Sequence, residues 1–439
     1  MSLISVEECR KLIAIDSTPA RGTKEIMSHA AELCRGLGLE VTLDSDTQGG
    51  VEQANLVARF QEAVDSELIL QSHLDTVDPG HFSAWSETQS NPFAASIHDG
   101  TIYGLGAADA KLDFLCKLEA LRELGPRKWQ APPVIVGTFG SQMGMSGAIK
   151  LLRKKRLNGR RALIGEPTNL CLGNAGMGLA IIEISVPFSL EETRYREHHD
   201  EIESGSTQSR MFVEKSGSSN WGGNAIVKAL EYLIQLPAGI AIMDLDGGSG
   251  AQTKPNSAVL EIDVVGSFRD PIVPKLAQVV KALRHMVDQL EAHADRPSIN
   301  LGMIRTFGDH IRLTGSCRLP PAVKESEYEQ WIAEMRTQCA EVGATFSVNE
   351  YKAAFVTAEE SKFVQSCTQV AQAMNYPSHL RPIGSSTEAN VLSRFGIECL
   401  VFGPGEGLGN AQGPNEKIRI EDLQRATRFY CELIREICL

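Results

Sequence analysis

Two hydrophobic periods alternate along the first third of the chain. Ser5 to Glu8 reads as a capping box, and apolar positions spaced three and four apart carry an amphipathic helix from there toward Ile15. The same spacing predicts a helix over Lys24 to Leu37. Asn55 to Phe60 and Glu67 to Gln71 are short runs rich in Leu, Ile and Val, which predict strands. A helix from about Ala110 to Leu124, a strand Val134 to Thr138, a helix Ser146 to Leu152 and a strand Ala162 to Gly165 follow. This alternation predicts an α/β sheet with helices on its faces.

The middle of the chain has another pattern. Ala180 to Val186 reads as a strand, and Glu191 to Arg210, polar and without apolar period, reads as a loop or mobile insertion. Helices over Asn224 to Leu236, Lys275 to Leu290 and Glu327 to Cys339 interleave with strands Val259 to Val265, Ile299 to Thr306, His310 to Leu313 and Thr345 to Val348. That mixture predicts an α+β sandwich. Helices Glu360 to Met374, Glu388 to Ser393 and Glu421 to Ile437, with strand Cys399 to Phe402, then return to α/β. The simplest arrangement is one α/β domain built from residues 1–176 and 354–439, interrupted by an inserted domain of residues 177–353.

Composition narrows the function classes. Of 439 residues, 42% are hydrophobic and 22% charged, an ordinary globular balance. No apolar run approaches the ~20 residues of a membrane span, so no membrane partner is expected. The acidic start, MSLISVEECRKL, does not read as a secretory signal. A net charge of -12 argues against a nucleic-acid partner, and the basic run Arg153 to Arg156 with Arg160 and Arg161 reads as a solvated helix end. Ten cysteines without a CxxC pair read as buried thiols in a reducing, cytoplasmic setting.

Three strand ends carry ligand-type residues. In LILQSHLDTVDP, His73 ends an apolar strand with Asp75 two residues on, the spacing of a metal ligand and the carboxylate that orients its other ring nitrogen. In DGTIYGLGAADAKLD, Asp109 stands at a turn into a helix, where it either caps that helix or ligates a cation, with Asp113 one turn later. In IGEPTN, Glu166 follows a short strand. Each signal alone is weak; three at strand ends form a candidate site.

The stretches SHLDTV, IYGLGAADAK, GTFGSQMGMSGA, IGEPTN, GGNAI and FGPGEG…NAQGPNE occur in the order and spacing of a zinc-dependent amidohydrolase family. The chain resembles that family, which includes aminoacylases, acetylornithine deacetylase, succinyl-diaminopimelate desuccinylase and carboxypeptidase G. The resemblance implies a zinc-peptidase α/β domain with an inserted ferredoxin-like lid, which often carries a homodimer contact. It implies His73 as the first histidine ligand, Asp75 as its orienting aspartate, Asp109 as the carboxylate bridging two metals, and Glu166 as the terminal carboxylate on the first. The implied ligand is a small acylated amino acid or peptide.

Other family positions have changed. The acidic pair of general base and second-metal ligand is Ser141 and Gln142, the last histidine ligand is Gln412, and the lid histidine that polarises the substrate is Lys215. Asn224, in the matched GGNAI stretch, is a candidate substrate residue with Lys215; the lid's Asn-x-x-Pro turn becomes Gln252 to Pro255, and the carboxylate-binding arginine has no clear counterpart, Arg269 being a weak candidate. Serine without an activating partner and a neutral amide do not act as a base near pH 7. Loss of a general base alone typically forfeits ~100- to 10,000-fold in rate. The expectation is at most one zinc or other divalent ion, on His73, Asp109 and Glu166, or an empty site. The leading reading is a non-hydrolytic or strongly impaired binder. The alternative is an active single-metal amide hydrolase whose base is Asp113, Glu388 or Glu406, Asp113 having the best claim because the family usually has glycine there. A purely structural subunit would have lost the first-metal residues as well. His198 and His199, in the polar insertion, are left outside the site, and Trp221 reads as lid packing.

Overall fold

The computed structural model describes residues 4–141, 144–198, 208–216, 221–266, 268–293 and 299–439. Gln142 and His199 therefore lie outside the described residues. The chain divides into two compact units, Met1–Gly176 with Phe355–Leu439, and Met177–Ala354.

The first unit is built on a six-stranded sheet in the order Glu40–Gln48, Val51–Arg59, Pro133–Thr138, Leu68–His73, Arg161–Gly165, Glu398–Val401. The first two strands form an antiparallel hairpin, and the second joins Pro133–Thr138 antiparallel. The last four run parallel, with Leu68–His73 between Pro133–Thr138 and Arg161–Gly165. Its six residues are all buried, as a strand covered on both faces requires. From its carboxyl end the chain crosses to Pro133–Thr138 on one side, whereas its other neighbour, Arg161–Gly165, leads onward to Glu398–Val401 on the far side, so its carboxyl end flanks the switch point where open α/β sheets bind ligands. Helices Lys111–Leu124 and Ile420–Cys438 pack together under one face around Phe114, Leu121, Phe429 and Tyr430. Helices Ser146–Arg153 and Ala389–Leu392 join the apolar cluster of the other.

Half of the capping box at Ser5 is made: the Ser5 side chain accepts the Glu8 amide at 3.3 Å and starts the helix Val6–Ala14, while the Glu8 carboxylate turns to Lys11 instead of back to Ser5. Strand Glu40–Gln48 has no apolar run for a pattern to find, because its burial alternates on an exposed edge. All ten cysteines are buried and free. No helix among the described residues is long and apolar enough to cross a membrane.

The inserted unit is α+β. Its seven-stranded sheet runs Gln208–Glu214, Ser257–Val264, Ile240–Gly248, Ile299–Thr306, His310–Leu319, Gly178–Pro187, Thr345–Lys352, with antiparallel neighbours throughout. Helices Ala225–Leu233, Ile272–Glu291 and Glu325–Glu341 share one apolar core with it, and Trp221 packs into that core. The polar stretch after Ser189 is not wholly a loop. Ser189 and Glu192 make a reciprocal capping box that starts the helix Leu190–Glu197, and a strand begins at Gln208. Capping starts this helix without an apolar stripe, so periodicity missed it.

Candidate metal centre

The parallel strands place His73, Thr138, Glu166 and Gly403 at or just past their carboxyl ends. His73 is buried, with ring nitrogens facing acceptors on both sides. Nδ1 lies 3.0 Å from the Asp75 carbonyl and 3.6 Å from its carboxylate, so the main chain contributes to orienting the ring. Nε2 lies 2.8 Å from Asp109 Oδ1. Burial alone would lower the His73 pKa, but Asp109 and Asp75 outweigh it and hold the imidazole well above its ordinary value.

Asp109 does not cap the helix that follows: Ala110 occupies that position, without a side-chain cap. Its carboxylate is committed to the site instead. Oδ1 faces His73, and Oδ2 accepts the Gln412 side-chain amide at 2.6 Å. Burial would raise the Asp109 pKa, yet His73 and Gln412 hold it below the usual value. The loop is held from behind by the fully buried Glu416, which sequence reading passed over. Its two oxygens accept the backbone amides of Gly106 at 3.1 Å, Ala108 at 2.8 Å, Asp109 at 2.9 Å and Gln412 at 3.2 Å. Burial and Asp109 nevertheless push its carboxyl up to about 7.

One donor atom each from His73, Asp109 and Glu166 lie within 4.8 Å of one another. Glu166 has its pKa raised well above the ordinary value by burial, then by Asp109, with Glu388 and Asp113 adding to it against His73. Glu388 is fully buried; Thr138 donates to its Oε1 at 3.3 Å, and Oε2 has no hydrogen-bond partner among the described residues. Burial raises its pKa, His73 opposes, Asp75 raises it further, and the Ser141 hydroxyl favours the charged form. Asp109, Asp75, Glu166 and Glu388 thus bear on a single imidazole. An imidazole and two carboxylates that converge in a surplus of negative charge fit one divalent cation, with ~2 Å bonds drawing the donors together. The arrangement is that of a candidate site for one divalent cation at the carboxyl ends of a parallel sheet.

Asp113 is neither a surface residue nor a free base. It is buried and accepts from Ser72 Oγ at 2.6 Å, from Lys117 Nζ at 2.7 Å and from the Tyr430 hydroxyl. Glu406 is exposed, in a loop bridged to Thr168. In the inserted unit, Asn224 is buried; its carbonyl caps the helix Ala225–Leu233, and its amide donates to Asn300 and Leu301. Lys215 is exposed, with its backbone amide on Asn256. The Arg269 backbone amide bonds Glu191 in a groove near Pro187 and Lys275. His198 bonds the Arg194 carbonyl at the end of its helix.

Residues 69–436 match the Peptidase family M20/M25/M40, and the chain belongs to that family. Acetylornithine deacetylase from Myxococcus xanthus is 23% identical over 439 residues, covering 98% of this chain and 96% of the relative. Aminoacylhistidine dipeptidase from Vibrio alginolyticus shares the fold with a TM-score of 0.67 at 14% identity, over 99% of this chain and 97% of that one. The aminopeptidase PepT from Bacillus cereus does so with a TM-score of 0.59 at 19% identity, over 99% of both chains. The protein is thus a member of a family of metal-dependent peptidases and deacylases, with His73, Asp109 and Glu166 as its candidate metal ligands.

Proposed function

We propose that this chain holds a single divalent cation and uses it to bind a small acylated amino acid or peptide, with amide hydrolysis lost or strongly reduced. One observation carries the reading: the Gln412 N–H occupies Asp109 Oδ2 at 2.6 Å. A bridging carboxylate turns that oxygen to a second cation. Here a neutral donor takes it, and two dications ~3.5 Å apart repel strongly without carboxylates between and around them. Ser141 carries no charge where the family's base stands. When bound, the cation would polarise a carbonyl or carboxylate oxygen of the ligand. His73 and Asp75 set the ring's orientation, and Glu416 fixes the Asp109 backbone. The ten buried free thiols support a reducing, cytoplasmic setting.

The test is zinc titration of the metal-free protein with parallel assay of N-acyl amino acids and dipeptides. One equivalent bound is expected, with turnover at least ~1,000-fold below a two-metal relative. Two equivalents at submicromolar affinity, with efficient hydrolysis, would overturn the proposal. Glu388 favours a second reading, since a buried carboxylate with an unpartnered oxygen beside the cluster is a candidate proton acceptor for a single-metal hydrolase. Hydrolysis abolished by Glu388→Gln at unchanged zinc stoichiometry would select it.

A further inference from the structure

We propose that Asp113, paired with Lys117, is a positioning residue that sets the donor spacing of the metal centre from beneath. The inference rests on the metal-binding reading above. One carboxylate reaches the ends of three neighbouring parallel strands. Oδ2 accepts the hydroxyl of Ser72, the residue before His73, at 2.6 Å. The same oxygen lies against Gly165, the residue before Glu166, where a Cβ would stand only 1.8 Å from it. Oδ1 accepts from Tyr430, whose hydroxyl is also 3.2 Å from the Phe402 carbonyl, and lies 3.1 Å from where a Cβ on Gly403 would be. Gly403 opens the loop that brings Gln412 and Glu416 to Asp109. The absence of side chains at 165 and 403 leaves the space that Asp113 fills.

Lys117 completes the unit. Its ammonium donates to Asp113 at 2.7 Å, to the Gln71 carbonyl at 2.5 Å and to Ser72 Oγ at 3.0 Å, fully buried. The ion pair balances its own charge, so it adds little net field to the cluster above, while its hydrogen bonds tie the His73 strand to both helices beneath it. A looser tie would let the His73 and Glu166 donors drift apart, and metal affinity falls steeply with such misplacement.

The test compares zinc affinity with backbone opening. Asp113→Leu/Lys117→Met removes both charges together and so leaves neither unpaired. Leu124→Ala, in the same helix but far along it, controls for lost stability. We expect the double variant to bind zinc about tenfold more weakly. Amides at positions 73–76, 166 and 168–170 of its metal-free form should exchange faster, while the Leu124→Ala protein keeps both properties at a lowered melting temperature. Zinc affinity within about twofold of the parent, or an equal loss in the control, would show a merely structural pair. If the double variant does not fold, Ser72→Ala decides, with about threefold weaker binding expected and no change overturning the idea. If the parent binds no zinc, the metal reading fails, and amide exchange still decides whether Asp113 ties the strand ends.

Discussion

Two buried charge clusters lie on either side of the strand ends at Ser72–His73 and Gly165–Glu166, and they are built on opposite principles. Below, Asp113 and Lys117 neutralise each other, and Ser72, Gln71 and Tyr430 satisfy their remaining donors and acceptors. Above, Asp109, Asp75, Glu166 and Glu388 bear on one histidine, and Glu388 keeps an orphan oxygen. A balanced buried pair is complete and belongs to the fold. An unbalanced one forces protons onto groups that would not otherwise hold them, which is the signature of a site waiting for a cation.

The comparison breaks most sharply at Lys117. Lys117→Met alone leaves Asp113 buried and unpaired and should cost about 3–5 kcal/mol in denaturant unfolding, most of it recovered when Asp113 is also made apolar. A small loss would mean the lower cluster is not a true pair. His73→Ala should do the reverse: calorimetric zinc affinity falls by at least ~100-fold, about 2.7 kcal/mol, while metal-free stability changes far less than for Lys117→Met.

Glu416→Gln should have a smaller effect than either. It breaks the four-amide cradle, and we expect a loss of about 2 kcal/mol. The sign of its pH dependence follows from the carboxyl being pushed up to about 7 from 4.5. A raised acid stabilises the fold fully below its unfolded value, and that stabilisation is lost as pH rises through about 7. Glutamine does not titrate, so the stability gap between parent and variant, both metal-free, should narrow from about pH 5 to 8. A gap that stays constant over that range would place the carboxylate in the ionised state throughout.

The smallest expected effect sharpens the comparison most. Glu388→Gln removes one unmatched charge from the upper cluster. It should stabilise the metal-free protein by about 1 kcal/mol at pH 8 while weakening zinc binding about tenfold. Stability and affinity moving in the same direction would mean that Glu388 does not belong to the unbalanced cluster.

Much of this was legible in the residues. Apolar runs mark the buried parallel strands because both their faces are covered, and the switch back to α/β patterning after Ala354 marks the insertion. His73, Asp109 and Glu166 could be picked out because strand ends are where such sheets hold ligands. The edge strand Glu40–Gln48 and the helix Leu190–Glu197 were not legible: one alternates on an exposed edge, and the other is started by a cap rather than by an apolar stripe.

The sequence by itself determined the family and offered ligand-type residues at the strand ends, since these depend on residue identity and order. Only the tertiary structure decided how each charge is spent. Asp113 is consumed by three donors, Gln412 covers the second face of Asp109, Glu416 holds the loop from behind, and Glu388 is left unmatched. A buried charge takes its role from the partners within hydrogen-bond reach, and those partners stand 4 to more than 300 residues away along the chain.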